Sequence, residues 1–102
     1  MGRFSKSKGY RRERELVLAH REIGLAARRV YASGAGHEKG DLVLDEGGME
    51  LRCELKARAN GEGFKTLEAW LGDFDALFLK RDRAEPVVVL PWRTWARLME
   101  GR

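Results

Sequence analysis

The chain has 102 residues, a mass of 11.6 kDa and a formal net charge of +4. Its composition, 43% hydrophobic and 35% charged, is typical of one soluble globular domain and excludes a disordered or fibrous chain. No apolar run approaches the about 20 residues of a membrane helix, and no apolar signal segment follows the first residues, so we expect a cytoplasmic protein without membrane association.

The positive charge is concentrated at the start of the chain. Residues 1–12 carry five basic and no acidic side chains, whereas the other 90 residues hold 15 basic and 16 acidic ones. We predict a basic, flexible arm over residues 1–9, followed by a single domain that completes the range 1–102. A basic arm on a nearly neutral body is typical of nucleic-acid binding, although a solubilising, frayed terminus has the same composition.

Helical periodicity begins after the arm and predicts a helix over residues 10–23. At 100° per residue, the apolar side chains lie within about 80° of Glu13, and Gly24 is a natural stop after the helix. The stripe consists of Leu16, Val17, His20 and Ile23. An acid at the centre of this stripe is unfavourable unless something compensates its charge.

The next segments predict three strands. A strand over residues 25–32 is followed by a loop over 33–40, and the apolar run 41–44 indicates a central strand. A turn signal at 45–48 then leads into the alternating residues 49–56, so the last two strands form a β-hairpin. An even loop centred on residues 46 and 47 would place Asp41 opposite Arg52 and diagonal to Glu54; an odd loop or a bulge would change this register.

The second half of the chain predicts a short helix, two strands and a last helix. These elements cover residues 66–71, 75–80, 86–90 and 92–100, with Pro91 opening the last helix. Within the third of these elements, the run 87–90 is apolar on both faces, which favours a position inside a sheet. The predicted order is α-β-β-β-α-β-β-α, an α/β sandwich with a mixed sheet.

Metal chemistry, if present, is restricted to hard cations. The only cysteine is Cys53, and neither it nor the two histidines has the spacing of a zinc site. Carboxylates therefore remain as the ligands of any metal.

A small set of charged residues is suited to phosphodiester hydrolysis. Glu54 and Lys56 are two positions apart on one strand face, Asp41 is expected beside them, and Glu13 is directed toward the sheet. Carboxylates can hold Mg²⁺ or Mn²⁺, and a lysine can stabilise charge on the phosphate. Each residue also has an ordinary explanation: a solvated strand face for Glu54 and Lys56, a turn for Asp41, and pairing with Arg12 or Arg14 for Glu13.

The ordered set resembles the PD-(D/E)xK nuclease superfamily, and most closely the small Holliday junction resolvases of archaea and their phage relatives. Residues 8–17, 33–43 and 53–56 carry the resemblance, while the second half matches less specifically. Gly40 stands where the family has a proline before the aspartate.

The resemblance implies a fold, a reaction and site residues. It implies a small restriction-endonuclease-like sandwich, with a central mixed β-sheet of about five strands flanked by helices. It also implies a Mg²⁺-dependent endodeoxyribonuclease, with Mn²⁺ as a substitute and no small-molecule cofactor, which acts as a homodimer on four-way junctions. Glu13, Asp41 and Glu54 would be metal ligands, Lys56 catalytic, and Ser33 near the DNA.

Basic side chains outside this set are candidate phosphate contacts. They are Arg3, Lys6, Lys8, Arg11, Arg12, Lys39, Arg58 and Lys65, together with Arg28 and Arg29. Five aromatic residues exceed the evident needs of a small core and belong either to that core or to an interface. They are Trp70, Phe74, Phe78, Trp92 and Trp95.

Three other functions remain open from the sequence. A related nuclease would act on forks, flaps or plain duplex DNA. A catalytically silent protein would bind branched DNA without metal-dependent cleavage. A purely structural protein would show no salt-sensitive DNA binding.

Overall fold

The computed structural model describes the backbone of residues 2–30 and 40–101 and the side chains of residues 10–30 and 40–101. The chain divides into two compact units, Met1–Ala57 and Arg58–Arg102. The element order is the predicted one, α-β-β-β-α-β-β-α. The elements are α1 (Gly2–Glu22), β1 (Ala26–Arg29), β2 (Leu42–Glu46), β3 (Met49–Cys53), α2 (Glu62–Leu71), β4 (Leu77–Leu79), β5 (Val87–Val89) and α3 (Trp92–Glu100).

Helix α1 is longer than its apolar stripe indicated. It begins at Gly2, so the backbone of residues 2–9, predicted as a flexible arm, continues the helix. At its other end, the N–H groups of Gly24 and Leu25 donate to the Arg21 and His20 carbonyls, each at 3.0 Å, and terminate the helix. No helix in the described part of the chain is long and apolar enough to cross a lipid bilayer.

The core of the first unit lies between α1 and a three-stranded sheet. From α1, Val17 and His20 are buried, and the His20 Nδ1–H donates to the Leu16 carbonyl at 2.8 Å. The stripe prediction and the assignment of His20 to the core are therefore confirmed. The remaining buried side chains come from the α1–β1 connection and the sheet: Leu25, Ala27, Leu42, Val43 and Leu44.

Strand β2 is central, as predicted, and pairs antiparallel with β1 and β3. Gly47 and Gly48 form a two-residue hairpin loop, and both have positive φ, which this tight turn requires. The loop is even but is centred one residue later than predicted. Arg52 consequently pairs with Val43, so the prediction that Asp41 lies opposite Arg52 is wrong.

The second unit contains the short antiparallel pair β4–β5 and two helices. Helix α2 begins at Glu62, four residues before the predicted start, whereas α3 follows Pro91 as expected. The prediction that Val87–Leu90 is interior to a sheet is wrong, because Val87 and Val88 are exposed in a two-stranded sheet.

The described strands do not form one central mixed sheet of about five strands. They form a sheet of three and a sheet of two, and every pairing is antiparallel. Each pairing joins strands that are consecutive in the chain, and such neighbours pair antiparallel without a crossover connection. The general prediction of a small mixed α/β protein is confirmed, and the single domain over residues 1–102 stays a prediction.

Candidate functional site

Asp41 links the start of β2 to the chain that follows β3. Its N–H donates to the Cys53 carbonyl at 2.7 Å, and its Oδ2 accepts the Leu55 N–H at 2.6 Å. On the other side of β2, its carbonyl accepts the Val30 N–H at 3.0 Å. Two hydrogen bonds, one from the Asp41 backbone and one to its carboxylate, therefore tie the open ends of β2 and β3 together and hold the carboxylate against the backbone next to Glu54.

The backbone at Asp41 departs from the regular ladder. Cys53 pairs with Leu42, yet its carbonyl also accepts the Asp41 N–H, so two consecutive residues face one partner as in a β-bulge. The residue before Asp41 permits this approach. Gly40 has φ +99°, and a Cβ there would lie 3.0 Å from the Cys53 carbonyl oxygen. Proline cannot adopt this φ, which explains the glycine at the position where the family has a proline.

Glu54 and Lys56 follow β3 and form an ion pair. Lys56 Nζ lies 2.9 Å from Glu54 Oε2, and both side chains are more than half exposed. The two residues share one side of the extended chain, in agreement with their spacing in the sequence. Their charges neutralise each other in a solvated setting, where the pair itself contributes little stability.

Glu13 is largely buried, unlike Glu54 and Lys56. Its Oε1 accepts hydrogen bonds from Arg29 Nε at 3.1 Å and Nη2 at 3.0 Å, and both side chains are more than four-fifths buried. The Arg29 guanidinium lies 3.9 Å from the centre of the Tyr10 ring. The charge of Glu13 in the apolar stripe is thus compensated by an arginine on the neighbouring strand.

Sequence reasoning missed this arginine as the partner of Glu13. The alternative pairing with Arg12 is wrong, since Arg12 binds Glu15 at 3.0 Å on the exposed side of α1. An acid in an apolar stripe signals that a partner exists. The partner, however, lies 16 positions away, beyond the reach of helical spacing.

The donor set has the right chemistry for a hard divalent cation but is not assembled as a metal cluster. Among residues 10–30 and 40–101, no group of three or more His, Cys, Asp or Glu side chains is placed to hold a metal ion. Glu13, Asp41 and Glu54 each have a protein partner instead. Their oxygens fit Mg²⁺ or Mn²⁺, and Asp41 lies against the backbone that carries Glu54.

The other predicted site residues divide into two groups. Ser33 and Lys39 lie outside the described residues, as do the side chains of Arg3, Lys6 and Lys8. The four whose side chains are described are all exposed. Arg11 and Arg12 belong to the first unit, and Arg58 and Lys65 to the second.

Cys53 lies beside this site but is not suited to nucleophilic chemistry. Its thiol is partly buried and lies 3.5 Å from the Leu51 carbonyl oxygen. Burial raises the pKa of the Cys53 thiol above its ordinary value of 9.0. The neutral thiol therefore predominates at pH 7 and serves as a small, weakly polar packing group.

Comparison with known proteins identifies the family. Residues 4–93 match the family model described as archaeal Holliday junction resolvase (Hjc). The comparisons with curated proteins and with solved structures give no match. The matched range includes most of each compact unit and all four predicted acid and lysine positions, so the resemblance seen in the sequence is confirmed. The chain belongs to the archaeal Holliday junction resolvase family, a family of nucleases that act on junction DNA.

Proposed function

We propose that this protein is a Mg²⁺-dependent, structure-selective DNA endonuclease that cuts four-way junctions by symmetric phosphodiester hydrolysis. The match of residues 4–93 to the resolvase family carries the proposal. The geometry at the open ends of β2 and β3 supports it. The Asp41 carboxylate accepts the Leu55 N–H there, and the neighbouring residues Glu54 and Lys56 lie in the same segment as Leu55.

Asp41, Glu54 and Glu13 are the residues that would hold the metal. When bound, Mg²⁺ would bind phosphate oxygens and lower the pKa of a water molecule, which supplies the nucleophile at neutral pH. Glu13 and Glu54 would contribute ligands by partly or fully exchanging their present partners, Arg29 and Lys56. The exchange at Glu54 is the easier one, because that ion pair is exposed.

The protein groups have separate roles in this proposal. The Leu55 N–H holds one Asp41 oxygen, which orients the carboxylate before any ligand arrives. Lys56, once released from Glu54, donates hydrogen bonds to the phosphate and stabilises the charge that develops on it. Basic side chains elsewhere neutralise the other backbone phosphates and set the affinity for DNA.

Symmetric cleavage also requires two sites, so we propose a homodimer. One chain offers a single set of Asp41, Glu54 and Lys56, whereas two nicks across a junction require two sets related by a twofold axis. Because its substrate is DNA, we propose a cytoplasmic location, in the nucleoid or in a phage-infected cell.

Cleavage of a synthetic four-way junction tests the proposal. We expect paired nicks with the wild type in Mg²⁺ or Mn²⁺ and none with EDTA. Glu54→Gln, which keeps the side-chain size, should cleave at least 100-fold more slowly. Parallel reactions on a fork and on a linear duplex measure the selectivity for the junction. Equal rates on all three substrates would contradict junction selectivity, and equal rates for wild type and Glu54→Gln would contradict the assigned site.

A catalytically silent junction-binding protein is the second candidate. The enclosed Glu13–Arg29 pair favours it, because a carboxylate already neutralised by an arginine has a weaker affinity for a cation. This candidate predicts junction binding that is unchanged by Mg²⁺ and unaffected by Glu54→Gln. Detection of metal-dependent strand scission in the junction assay would eliminate it.

A further inference from the structure

A groove lined by arginines runs between α1 and β1. It has a volume of about 370 Å³ and is bordered by Arg14 and Arg21 of the helix and by Arg28 and Arg29 of the strand. Tyr10 and two apolar residues of α1 complete its lining, which contains no acidic side chain. Four guanidinium groups around one small groove form a positively charged surface.

Two of these arginines are held in place by the protein. Arg21 Nε donates to the Ala27 carbonyl at 3.0 Å, on the strand at the edge of the sheet. Arg29 is positioned from two sides, by the Tyr10 ring and by the Glu13 carboxylate. Arginines fixed in this way lose less side-chain freedom when they bind a ligand than arginines that move freely in solvent.

The positive charge of the groove exceeds the acidic charge that faces it. Glu13 pairs with Arg29, and Glu50 lies 3.7 Å from Arg28 in an exposed, weaker pair. Among the described side chains, these two acids face four arginines. Arg14 is exposed and is free of any ion pair with the described residues. An excess of positive charge on a pre-ordered surface favours an anionic ligand.

We propose that this groove binds a backbone phosphate of DNA in addition to the phosphate at Asp41, Glu54 and Lys56. The groove touches the proposed metal site only through the Arg29–Glu13 pair. The identity of the ligand, DNA, rests on the proposed function. The groove itself is defined independently, by its four arginines. Guanidinium groups donate paired hydrogen bonds to phosphate oxygens, and the apolar part of the lining accommodates a sugar edge. The groove thereby positions the DNA relative to α1 without reading its sequence.

This inference is tested by measuring the affinity of the protein for a four-way junction. The measurement is made without divalent metal, over a series of salt concentrations. The test variant is Arg14→Ala/Arg28→Ala, because both side chains are exposed and their removal should leave the fold intact. The control, Arg81→Ala/Arg97→Ala, removes the same charge from exposed positions of the second unit. We expect the test variant to bind at least tenfold more weakly, with a salt dependence reduced by about one phosphate contact, and the control to bind like the wild type.

The outcomes separate the groove from the proposed function. If the wild type binds and cleaves the junction but the test variant matches the control in affinity and salt dependence, the groove proposal is overturned and the function stands. If the wild type does not bind the junction, the function fails, and titration with inorganic phosphate decides the groove. Shifts in the NMR signals of the Arg21 and Arg29 Nε–H groups would then support a phosphate site, and unchanged signals would overturn it.

Discussion

At the scale of single residues, Glu13 has an observed role as the ionic partner of Arg29 and a proposed role as a metal ligand. A charged group that is more than four-fifths buried is stable only with a partner, and here the partner is a guanidinium stacked on Tyr10. The same carboxylate is a predicted metal ligand. The arginine therefore stabilises this carboxylate in the absence of metal, and we expect it to compete with any metal that binds Glu13.

Replacement of Arg29 should show how much stability the protein loses when Glu13 has no ionic partner. We expect Arg29→Ala to lower the free energy of unfolding by about 2 kcal/mol, since it leaves a largely buried carboxylate without its donor. Arg12→Ala is the matched control, because it removes an exposed pair with Glu15 and should cost less than about 0.5 kcal/mol. Urea denaturation measures both, and equal losses for the two variants would contradict the structural role of Arg29.

Gly40 is a second residue whose identity follows from local geometry. A methyl group there would meet the Cys53 carbonyl oxygen at 3.0 Å and would also require an unfavourable positive φ. We expect Gly40→Ala to lower the free energy of unfolding by about 2–3 kcal/mol. Gly24→Ala provides the comparison, because Gly24 has a similar φ of +88° but open space around it, and should cost about 1 kcal/mol. A smaller loss for Gly40→Ala than for Gly24→Ala would rule out the close approach.

At the scale of elements, the ends of β2 and β3 combine an observed hydrogen bond with a proposed chemical role. Asp41 accepts the Leu55 N–H, and its other oxygen remains available for a ligand beside the backbone that carries Glu54. Substitutions can separate these roles, since an asparagine still offers an oxygen to the Leu55 N–H but binds Mg²⁺ far more weakly than a carboxylate does.

Asp41→Asn should therefore keep the fold and lose cleavage. We expect its free energy of unfolding to remain within about 1 kcal/mol of the wild type, while junction cleavage falls at least 100-fold. Asp41→Ala should lose cleavage and also about 1–2 kcal/mol of stability, because the Leu55 N–H is left without an acceptor. Thermal unfolding and a cleavage assay measure the two effects. Full activity of Asp41→Asn would exclude this carboxylate as a metal ligand.

The same elements show which features a sequence reveals and which it does not. Local patterns were sufficient for the stripe of α1, for the hairpin and for the start of α3 after Pro91, because each depends on residues a few positions apart. The bulge at Asp41 depends on a close approach between Gly40 and Cys53, and the Glu13–Arg29 pair on the packing of a helix against a strand. Neither has a local signature. The division of five strands into two sheets likewise depends on interactions between distant segments.

At the scale of the whole molecule, the two units differ in how much apolar surface they enclose. The first contains every buried side chain in the described part of the protein. In the second, none of the described side chains is buried, and four of the five aromatic residues assigned from the sequence to a core or an interface are exposed: Trp70, Phe74, Phe78 and Trp92. The possibility that all five belong to a core is therefore wrong, and Trp95 is only partly enclosed. Large apolar side chains exposed in this number favour a surface that binds another protein.

The proposed homodimer offers a partner for this surface, and Phe78 provides its test. Phe78 pairs across β4–β5 with Val88, so both exposed side chains lie on one face of the two-stranded sheet. We expect the wild type to sediment as a dimer at micromolar concentration and Phe78→Glu to sediment as a monomer, because a charge buried in an apolar interface is costly. Met49→Glu, at a similarly exposed position of the first unit, should remain dimeric. A dimeric Phe78→Glu would exclude this face from the interface. A monomeric wild type would contradict the proposed homodimer, and with it the physical basis for symmetric cleavage by two chains.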